Sequence, residues 1–152
     1  MADARNVLCV CTGNINRSPM AAAWVDVMAM QHAVEVEIRS AGTLGLVGRG
    51  CPKQLVAVAR EVGIDLTGHR SQGLSSELVA WADDILVMEP AHAEHLAEHY
   101  SGHEAQVVQL GLLIGHAEVA DPHGSWFKGP FRRMRDDVRR AVERYVAGWD
   151  GR

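Results

Sequence analysis

Residues 7–19 read VLCVCTGNINRSP, and this stretch joins three local signals that decide the fold. Its first four residues are all apolar, as is typical of a central strand buried on both faces of a sheet. Residues 11–16 then form a polar loop that contains one glycine. Ser18 and Pro19 open an Ala/Met-rich stretch that reaches about Gln31, and Ser at the cap with Pro in the first turn predicts a helix start. The stretch therefore predicts a strand, a loop and a helix in succession.

Strand and helix patterns alternate along the rest of the chain. The alternation of apolar and charged residues at 34–38 favours a strand near the edge of the sheet. Further strands are predicted at 83–88 and 106–110, and further helices at 55–62, 90–100 and 131–149. Because strands that alternate with helices build parallel sheets, we expect an α/β fold. It would be a single three-layer domain over residues 1–152, with a four-stranded parallel sheet and helices on both faces.

The composition excludes several classes of protein. The chain has 152 residues, of which 47% are hydrophobic and 22% charged, as in a globular domain rather than a fibrous or disordered chain. A net charge of −4 gives no support to nucleic-acid binding. The stretch from Lys128 onward is basic, with eight basic and four acidic residues. We expect a solvated helix face there, with a contact surface for acidic partners as the alternative.

The N-terminus and the cysteines indicate a cytoplasmic protein without a membrane segment. Residues 1–6 are mostly polar, and the apolar run at 7–10 is far too short for a signal or membrane segment. Cys9, Cys11 and Cys51 make an odd count, so a disulfide framework is not expected. Cys9 is expected to be a small core residue, and Cys51 an incidental free thiol in a Gly-rich loop.

The loop at residues 11–16 lies at the carboxyl end of a predicted parallel strand, where such sheets bind ligands. Consecutive backbone N–H groups and the positive end of the following helix form a cradle for an anion. Arg17, six residues after Cys11, can donate two hydrogen bonds to a tetrahedral oxyanion. The same positive field favours a thiolate at Cys11. A thiolate that faces a bound phosphate predicts attack on phosphorus and a cysteinyl-phosphate intermediate.

Residues 10–19, VCTGNINRSP, resemble the signature loop of the low-molecular-weight protein tyrosine phosphatases. The resemblance runs over almost the full chain. Three further motifs fall in the family's order and spacing: Ser40-Ala41-Gly42, residues 63–66 (GIDL) with His69-Arg70, and Asp121-Pro122. The resemblance implies a phosphatase that acts on phosphotyrosine proteins or on a related small phosphate monoester.

The resemblance also implies a role for each residue of the loop. Cys11 would be the nucleophile and Arg17 the phosphate clamp. Ser18 would donate a hydrogen bond to the thiolate and help it leave in the second step. The phosphate-binding loop would consist of Thr12, Gly13, Asn14, Ile15 and Asn16. Because the loop amides and Arg17 supply positive charge, no metal and no other cofactor is expected.

Residues outside the loop are implied as well. Asp121 matches the general acid, which protonates the leaving oxygen and then activates water. Pro122 would fix this acid in a loop over the site. Asn14, Ser40 and His69 match a polar network that holds the phosphate-binding loop in shape.

The chain departs from the family pattern at three places. Asn16 stands where family members often carry a second cysteine, and Ala22 stands where a glutamate is common. The third is the cleft wall, which the family usually lines with aromatic side chains. The corresponding residues here are Leu44, Gly45, Leu46, His123 and Gly124, with Trp126 and Phe127 close behind.

Two other functions fit the same loop. Arsenate mimics phosphate, so an arsenate reductase on the same fold that uses an external thiol is one alternative. Reductases that use two further cysteines of their own are disfavoured, because no cysteine follows Cys51. An inactive phosphate-binding module is the other alternative. The presence of Asp121 beside Cys11 and Arg17 argues against it, because a binder needs no general acid.

Four histidines recur at spacings of three, four and four residues: His92, His95, His99 and His103. This spacing places them on one face of a helix if the helix reaches His103. We expect a solvated helix surface, with chelation of Zn²⁺ or Ni²⁺ by this face as the alternative.

Overall fold

The apolar run at residues 7–10 forms the centre of a parallel sheet in the computed structural model, which describes residues 4–151. The sheet has the strand order β2-β1-β3-β4, and each neighbouring pair is parallel. The strands are β1 (Arg5–Cys11), β2 (Val36–Gly42), β3 (Asp84–Val87) and β4 (Val107–Gln109). The predicted four-stranded parallel sheet is confirmed. Residues 1–3 and 152 of the predicted domain lie outside the described residues.

Helices cover both faces of the sheet, as predicted, and the alternation along β1 explains why. Cys9 and Cys11 face one core while Leu8 and Val10 face the other, because successive side chains of a strand point to opposite sides. The first core is closed by α1 (Arg17–Gln31), α2 (Lys53–Arg60) and α5 (Lys128–Ala147), and the second by α3 (Ser76–Trp81) and α4 (Pro90–His99). Short 3₁₀ segments lie at Glu104–Gln106, Leu110–Ile114 and Gly148–Gly151.

Two elements differ most from the sequence prediction. β2 begins two residues later than predicted and runs on to Gly42, because its backbone pairs with β1 as far as Cys11. The hydrophobic pattern gives no sign of α3, because six residues are too few to show helical periodicity. A local signal is present all the same, since the Ser75 hydroxyl accepts a hydrogen bond from the Leu78 N–H at 3.1 Å.

α1 begins one residue before Ser18, so the prediction that Ser18 caps this helix is wrong. Asn16 occupies the cap position, and its side chain makes no capping hydrogen bond. Ser18 lies in the first turn instead, with its hydroxyl 3.0 Å from the Cys11 sulfur. A residue that is typical of a helix cap serves here as a partner of the cysteine.

α5 packs along the first core and is tied to its neighbours by polar contacts. The Trp24 indole N–H donates to the Arg135 carbonyl, and the Arg135 guanidinium donates to the Val58 carbonyl and to Glu61. Three exposed arginines of α5 pair with carboxylates of the same chain: Arg132 with Glu61, Arg139 with Glu143 and Arg140 with Asp137. These pairs satisfy much of the positive charge of the α5 surface. Within residues 4–151 none of the helices, α5 included, is long and apolar enough to cross a membrane.

Candidate active site

The loop at residues 11–17 packs closely against the end of β2. The Leu44 N–H donates to the Thr12 carbonyl at 3.0 Å. Gly42 permits this approach, because a Cβ at this position would lie 2.7 Å from the same carbonyl oxygen. The Ser40-Ala41-Gly42 motif therefore contributes to the loop through its glycine.

Asn14 is the centre of hydrogen bonding in the loop, and it is fully buried. Its φ of 56° lies in the left-handed region, which asparagine enters more readily than most residues. Its Nδ2 donates to the Ser18 hydroxyl at 2.7 Å, and its Oδ1 accepts from the Gln72 N–H at 3.0 Å. Its carbonyl accepts a hydrogen bond from His69 Nε2 at 2.7 Å. The structure thus brings Asn14 and His69 together in one network.

Ser40 reaches this network only through its backbone. Its carbonyl accepts a hydrogen bond from Gln72 Nε2 at 3.0 Å, and the Gln72 N–H donates to Asn14. The Ser40 hydroxyl makes no hydrogen bond to any residue in the described part of the chain. Gln72, which the motif comparison did not single out, connects Ser40 to the loop.

The Cys11 sulfur is almost completely buried and has two partners within the loop. The Asn14 N–H donates to it at 3.2 Å, and the Ser18 hydroxyl lies 3.0 Å away. Because Asn14 Nδ2 already donates to the Ser18 oxygen, the Ser18 proton is free to be donated to sulfur. The arrangement aims two hydrogen-bond donors at one sulfur atom.

Arg17 is also almost completely buried, and its guanidinium is shared between four groups. Nη1 donates to Glu89 Oε2 at 3.0 Å and to the Val119 carbonyl at 2.9 Å. Nη2 donates to the Thr12 hydroxyl at 3.4 Å and lies 3.6 Å from the Asp121 carboxylate. One terminal nitrogen is therefore anchored, while the other faces the loop and the acid.

Asp121 lies in the segment before α5, and its side chain is 38% exposed. Its Oδ1 accepts a hydrogen bond from the His123 N–H at 3.1 Å, which is a local turn contact. Pro122, the next residue, is buried. Asp121 is thus the one partner of the Arg17 side chain whose carboxylate is substantially open to solvent.

The prediction of a solvated histidine face is wrong for His92. This residue is 2% exposed, and α4 ends at His99, so His103 lies beyond the helix. His95 and His99 stack against each other with ring centroids 4.3 Å apart. In residues 4–151, no group of three or more His, Cys, Asp or Glu side chains could hold a metal ion.

His92 lies in the site itself. Its Nε2 is 2.9 Å from the Thr12 hydroxyl oxygen, and its Nδ1 accepts a hydrogen bond from the Met88 N–H at 3.3 Å. Burial and the positive charge of Arg17 lower the pKa of His92 to about 4. The ring is therefore neutral at neutral pH.

Sequence reasoning missed Glu89 and His92 as functional residues. Both follow β3, and β3 lies directly beside β1 in the sheet. The carboxyl ends of neighbouring parallel strands meet at one edge, so polar residues after β3 are expected near the loop after β1. That placement is the signal that could have identified them.

The two other cysteines lie near Cys11 in the fold but in different surroundings. Cys9 is fully buried, which confirms the prediction of a core residue, and burial raises the pKa of its thiol. Cys51 is half-buried, and burial together with the charge of Cys11 raises the pKa of its thiol to about 12. All three are free thiols.

The surroundings of the loop carry apolar side chains, as the departures from the family pattern indicate. Side-chain carbons of Ile15 and Leu46 lie 3.5 and 3.8 Å from the place that a Cβ of Gly13 would take. Trp126 and Phe127, five and six residues after the acid, are 87% and 78% exposed. Aliphatic side chains thus flank the loop on the β2 side, and the nearest aromatic residues in sequence stand in solvent.

The chain is similar to proteins of known class over nearly its whole length. The family model described as low molecular weight phosphotyrosine protein phosphatase matches residues 6–150. A probable low molecular weight protein-tyrosine-phosphatase of Ralstonia nicotianae is 33% identical over 142 residues, 93% of this chain and 94% of the relative. A protein-arginine-phosphatase of Geobacillus stearothermophilus is 32% identical over 143 residues, 91% of each chain. The crystal structure of a tyrosine phosphatase of Erwinia amylovora matches with a TM-score of 0.87 at 28% identity, covering 97% of this chain and 94% of the other.

Proposed function

Because the chain belongs to the low molecular weight phosphotyrosine protein phosphatase family, we propose that it hydrolyses phosphotyrosine in proteins through a cysteinyl-phosphate intermediate. One observation carries the proposal above others. The Cys11 sulfur lies 3.0 Å from the Ser18 hydroxyl, in a loop that ends at the buried Arg17. Such a loop offers a nucleophile, a cradle of backbone N–H groups and a guanidinium to one tetrahedral anion.

In the first step, the Cys11 thiolate attacks phosphorus. A sulfur–phosphorus bond forms and the bond from phosphorus to the tyrosyl oxygen breaks. Asp121 is the general acid that gives its proton to the departing oxygen. The backbone N–H groups of Thr12, Gly13, Asn14, Ile15 and Asn16, together with Arg17, stabilise the charge on the transferring phosphoryl group.

In the second step, water attacks the phosphorus of the intermediate. Asp121, now a carboxylate, takes a proton from this water, and inorganic phosphate is released. Cys11 leaves as a thiolate. The Ser18 hydroxyl, whose proton is free to point at sulfur, stabilises the leaving thiolate.

The contacts of Arg17 support a division of labour between its two terminal nitrogens. Nη1 stays anchored by Glu89 and the Val119 carbonyl. Nη2 exchanges its 3.6 Å contact with Asp121 for an oxygen of the phosphoryl group. The exchange frees Asp121 to face the leaving oxygen, so substrate binding itself prepares the acid.

The remaining site residues support the loop rather than the reacting atoms. Asn14 and His69 hold its left-handed turn, and Ser40 contributes through its carbonyl by way of Gln72. The reaction as proposed needs no metal, because loop amides and Arg17 supply the positive charge. We place the protein in the cytoplasm, since three free thiols suit a reducing compartment. A small phosphate monoester is a substrate on the same terms.

Phosphoarginine in proteins is a second candidate substrate. The observation that favours it is the protein-arginine-phosphatase of Geobacillus stearothermophilus, which is as similar to this chain as the tyrosine phosphatase of Ralstonia nicotianae. The arsenate reductase and the inactive binding module receive no comparable support, because the relatives described above are all named as phosphatases.

The test compares initial rates on a phosphotyrosine peptide, a phosphoarginine peptide, p-nitrophenyl phosphate, and arsenate with a small thiol. We expect the highest kcat/KM on the phosphotyrosine peptide among the two peptides, and no rate on any substrate with Cys11→Ser. Cys51→Ser is the matched control and should retain the activity. Turnover by Cys11→Ser would contradict the covalent mechanism. A preference for phosphoarginine would transfer the assignment to the second candidate.

A further inference from the structure

The Thr12 side chain is held by His92 and Arg17. The phosphatase mechanism does not by itself require these two residues to contact the same atom. His92 Nε2 lies 2.9 Å from Thr12 Oγ1, and Arg17 Nη2 lies 3.4 Å from the same oxygen. Thr12 directly follows the nucleophile in the chain and is partly exposed. Its hydroxyl therefore lies beside the guanidinium nitrogen that also faces Asp121.

The hydrogen bonds of His92 decide which of its nitrogens carries the proton. The Met88 backbone N–H donates to Nδ1, so Nδ1 must be an acceptor without a proton. In a neutral ring the proton then sits on Nε2. Glu89 Oε1 lies 3.7 Å from Nε2, beyond hydrogen-bond distance, whereas Thr12 Oγ1 lies at 2.9 Å. Nε2–H therefore donates to the Thr12 hydroxyl.

The surroundings of His92 keep this ring neutral. Burial and Arg17 lower its pKa, and the carboxylates of Glu89 and Asp121 oppose that effect only in part. His95, one turn along α4, is the other titratable group that faces it and acts in the same direction as Arg17. The donating tautomer therefore persists through the neutral pH range.

Because two donors already bind the Thr12 hydroxyl, it can interact with a further group only by donating its own proton. A hydroxyl has two acceptor lone pairs and one proton. His92 Nε2–H and Arg17 Nη2–H use the two lone pairs, so the Thr12 proton has to point away from both. This proton can therefore be donated to an acceptor that is bound in the loop beside Arg17 Nη2.

We propose that Thr12 is a catalytic residue that donates its hydroxyl proton in a hydrogen bond to an oxygen of the bound phosphoryl group, and that His92 is the residue that positions it. The inference rests on the proposed phosphatase function and deepens it. No bond to hydrogen is broken, and the hydrogen bond serves to bind the transferring anion. Thr12 thus adds a side-chain hydrogen-bond donor to those of Arg17 and Ser18.

The first test removes the hydroxyl without changing the shape of the side chain. Thr12→Val should lower kcat/KM on p-nitrophenyl phosphate and weaken orthovanadate inhibition in parallel, each by roughly tenfold or more. Thr12→Ser restores the hydroxyl and should recover most of the loss. If the Thr12 side chain served only to fill space, both quantities would stay unchanged, because valine has nearly the same volume as threonine.

The second test separates the two nitrogens of His92. His92→Asn keeps an acceptor near the position of Nδ1 but cannot reach Thr12, so it should show the defect of Thr12→Val. His92→Gln places a donor near the position of Nε2 and should recover much of the vanadate affinity. In the Thr12→Val background, His92→Asn should add little, because the group it positions is already gone. Thermal melting checks that each variant is folded.

The outcomes distinguish this inference from the phosphatase assignment. A wild-type protein that neither hydrolyses p-nitrophenyl phosphate nor binds orthovanadate would contradict the proposed function. An active wild type with an equally active Thr12→Val variant would overturn the role of Thr12, whatever happens at His92. Losses that multiply in the Thr12→Val/His92→Asn double variant would overturn the positioning role of His92.

Discussion

Two arginine–carboxylate pairs lie at opposite ends of the same two strands, β1 and β3. At the amino end, Arg5 pairs with Asp84 at 2.9 Å. At the carboxyl end, Arg17 and Glu89, which follow the two strands, pair at 3.0 Å. The distances are nearly equal, so the ion pair itself does not distinguish a structural arginine from a functional one.

The two pairs differ in what else the arginine and its partner contact. Asp84 also accepts a hydrogen bond from the Tyr145 hydroxyl, so α5 closes over the pair with Arg5. Arg17, in contrast, turns its second nitrogen toward Asp121, whose side chain is 38% exposed. An exposed partner can be exchanged for a ligand, whereas a packed one cannot. In the proposed mechanism, Arg17 is therefore the arginine with a partner that can be replaced by the substrate.

The largest expected effect comes from the same substitution made at both ends. Arg17→Lys should lower kcat/KM on p-nitrophenyl phosphate by about 10³–10⁵-fold, because one ammonium group cannot keep the contacts of Nη1 with Glu89 and the Val119 carbonyl and also donate to the phosphoryl group as Nη2 does. Arg5→Lys should leave kcat/KM unchanged, since the Arg5 side chain contacts Asp84 and Trp149 at the amino end of the strands. Steady-state kinetics on the two purified variants measures both. Equal losses of kcat/KM in the two variants would contradict the distinction between Arg17 and Arg5.

Asp121, the partner of Arg17 that the substrate can replace, provides the next test. Asp121→Asn should slow hydrolysis by about 10²–10⁴-fold, the usual contribution of a general acid. The loss should grow with the pKa of the leaving group, because a good leaving group hardly needs a proton. Rates over a series of aryl phosphates measure this slope. A uniform loss across the series would make Asp121 a structural partner of Arg17 and nothing more.

The Arg5–Asp84 pair at the amino end of the strands should affect stability instead of activity. Asp84→Ala removes the acceptor of both Arg5 and Tyr145 in a largely buried place, and should lower the free energy of unfolding by roughly 2–4 kcal/mol. Arg139→Ala breaks an exposed pair and should cost about 0.5 kcal/mol or less. Urea denaturation measures both. A stable Asp84→Ala variant with impaired turnover would reverse the roles given to the two ends.

The smallest expected effect is a pH dependence at the carboxyl end of the sheet. The pKa of His92 is about 4 in the folded chain and about 6.5 in an unfolded one, so between these values the unfolded chain binds a proton that the folded chain does not. The contribution of neutral His92 to the free energy of unfolding is therefore complete above about pH 6.5 and is lost as the pH falls toward 4. His92→Asn should reduce the change in the free energy of unfolding between pH 6.5 and pH 4 by on the order of 1–2 kcal/mol.

The sequence predicts the parts of the site that are close along the chain. Cys11, Arg17 and Ser18 belong to one strand–loop–helix unit, so spacing alone brings them together. Glu89 and His92 join that unit from more than 70 residues away. Their arrival depends on β3 pairing with β1, and strand order is set by packing of the whole sheet rather than by local pattern.

The same reasoning explains the wrong prediction for His92. Its spacing with the later histidines of α4 is regular, and a regular spacing says which residues share a helix face but not what that face covers. α4 begins at the edge of the site, so the His92 side chain in its first turn is buried against Thr12, while His99 in its last turn is exposed. Burial there follows from the position of the helix start.

The proposed mechanism requires a phosphoryl group that is carried by Cys11. Asp121→Ala should accumulate the intermediate from p-nitrophenyl phosphate, because this leaving group departs unaided while attack by water lacks its base. Quenching, tryptic digestion and tandem mass spectrometry of the peptide at residues 6–17, which holds both Cys9 and Cys11, then locate the modification. We expect one phosphoryl group on the sulfur of Cys11, and none when Cys11→Ala is added. Continued turnover with an unmodified Cys11, or a phosphoryl group on Cys9 instead, would contradict the account.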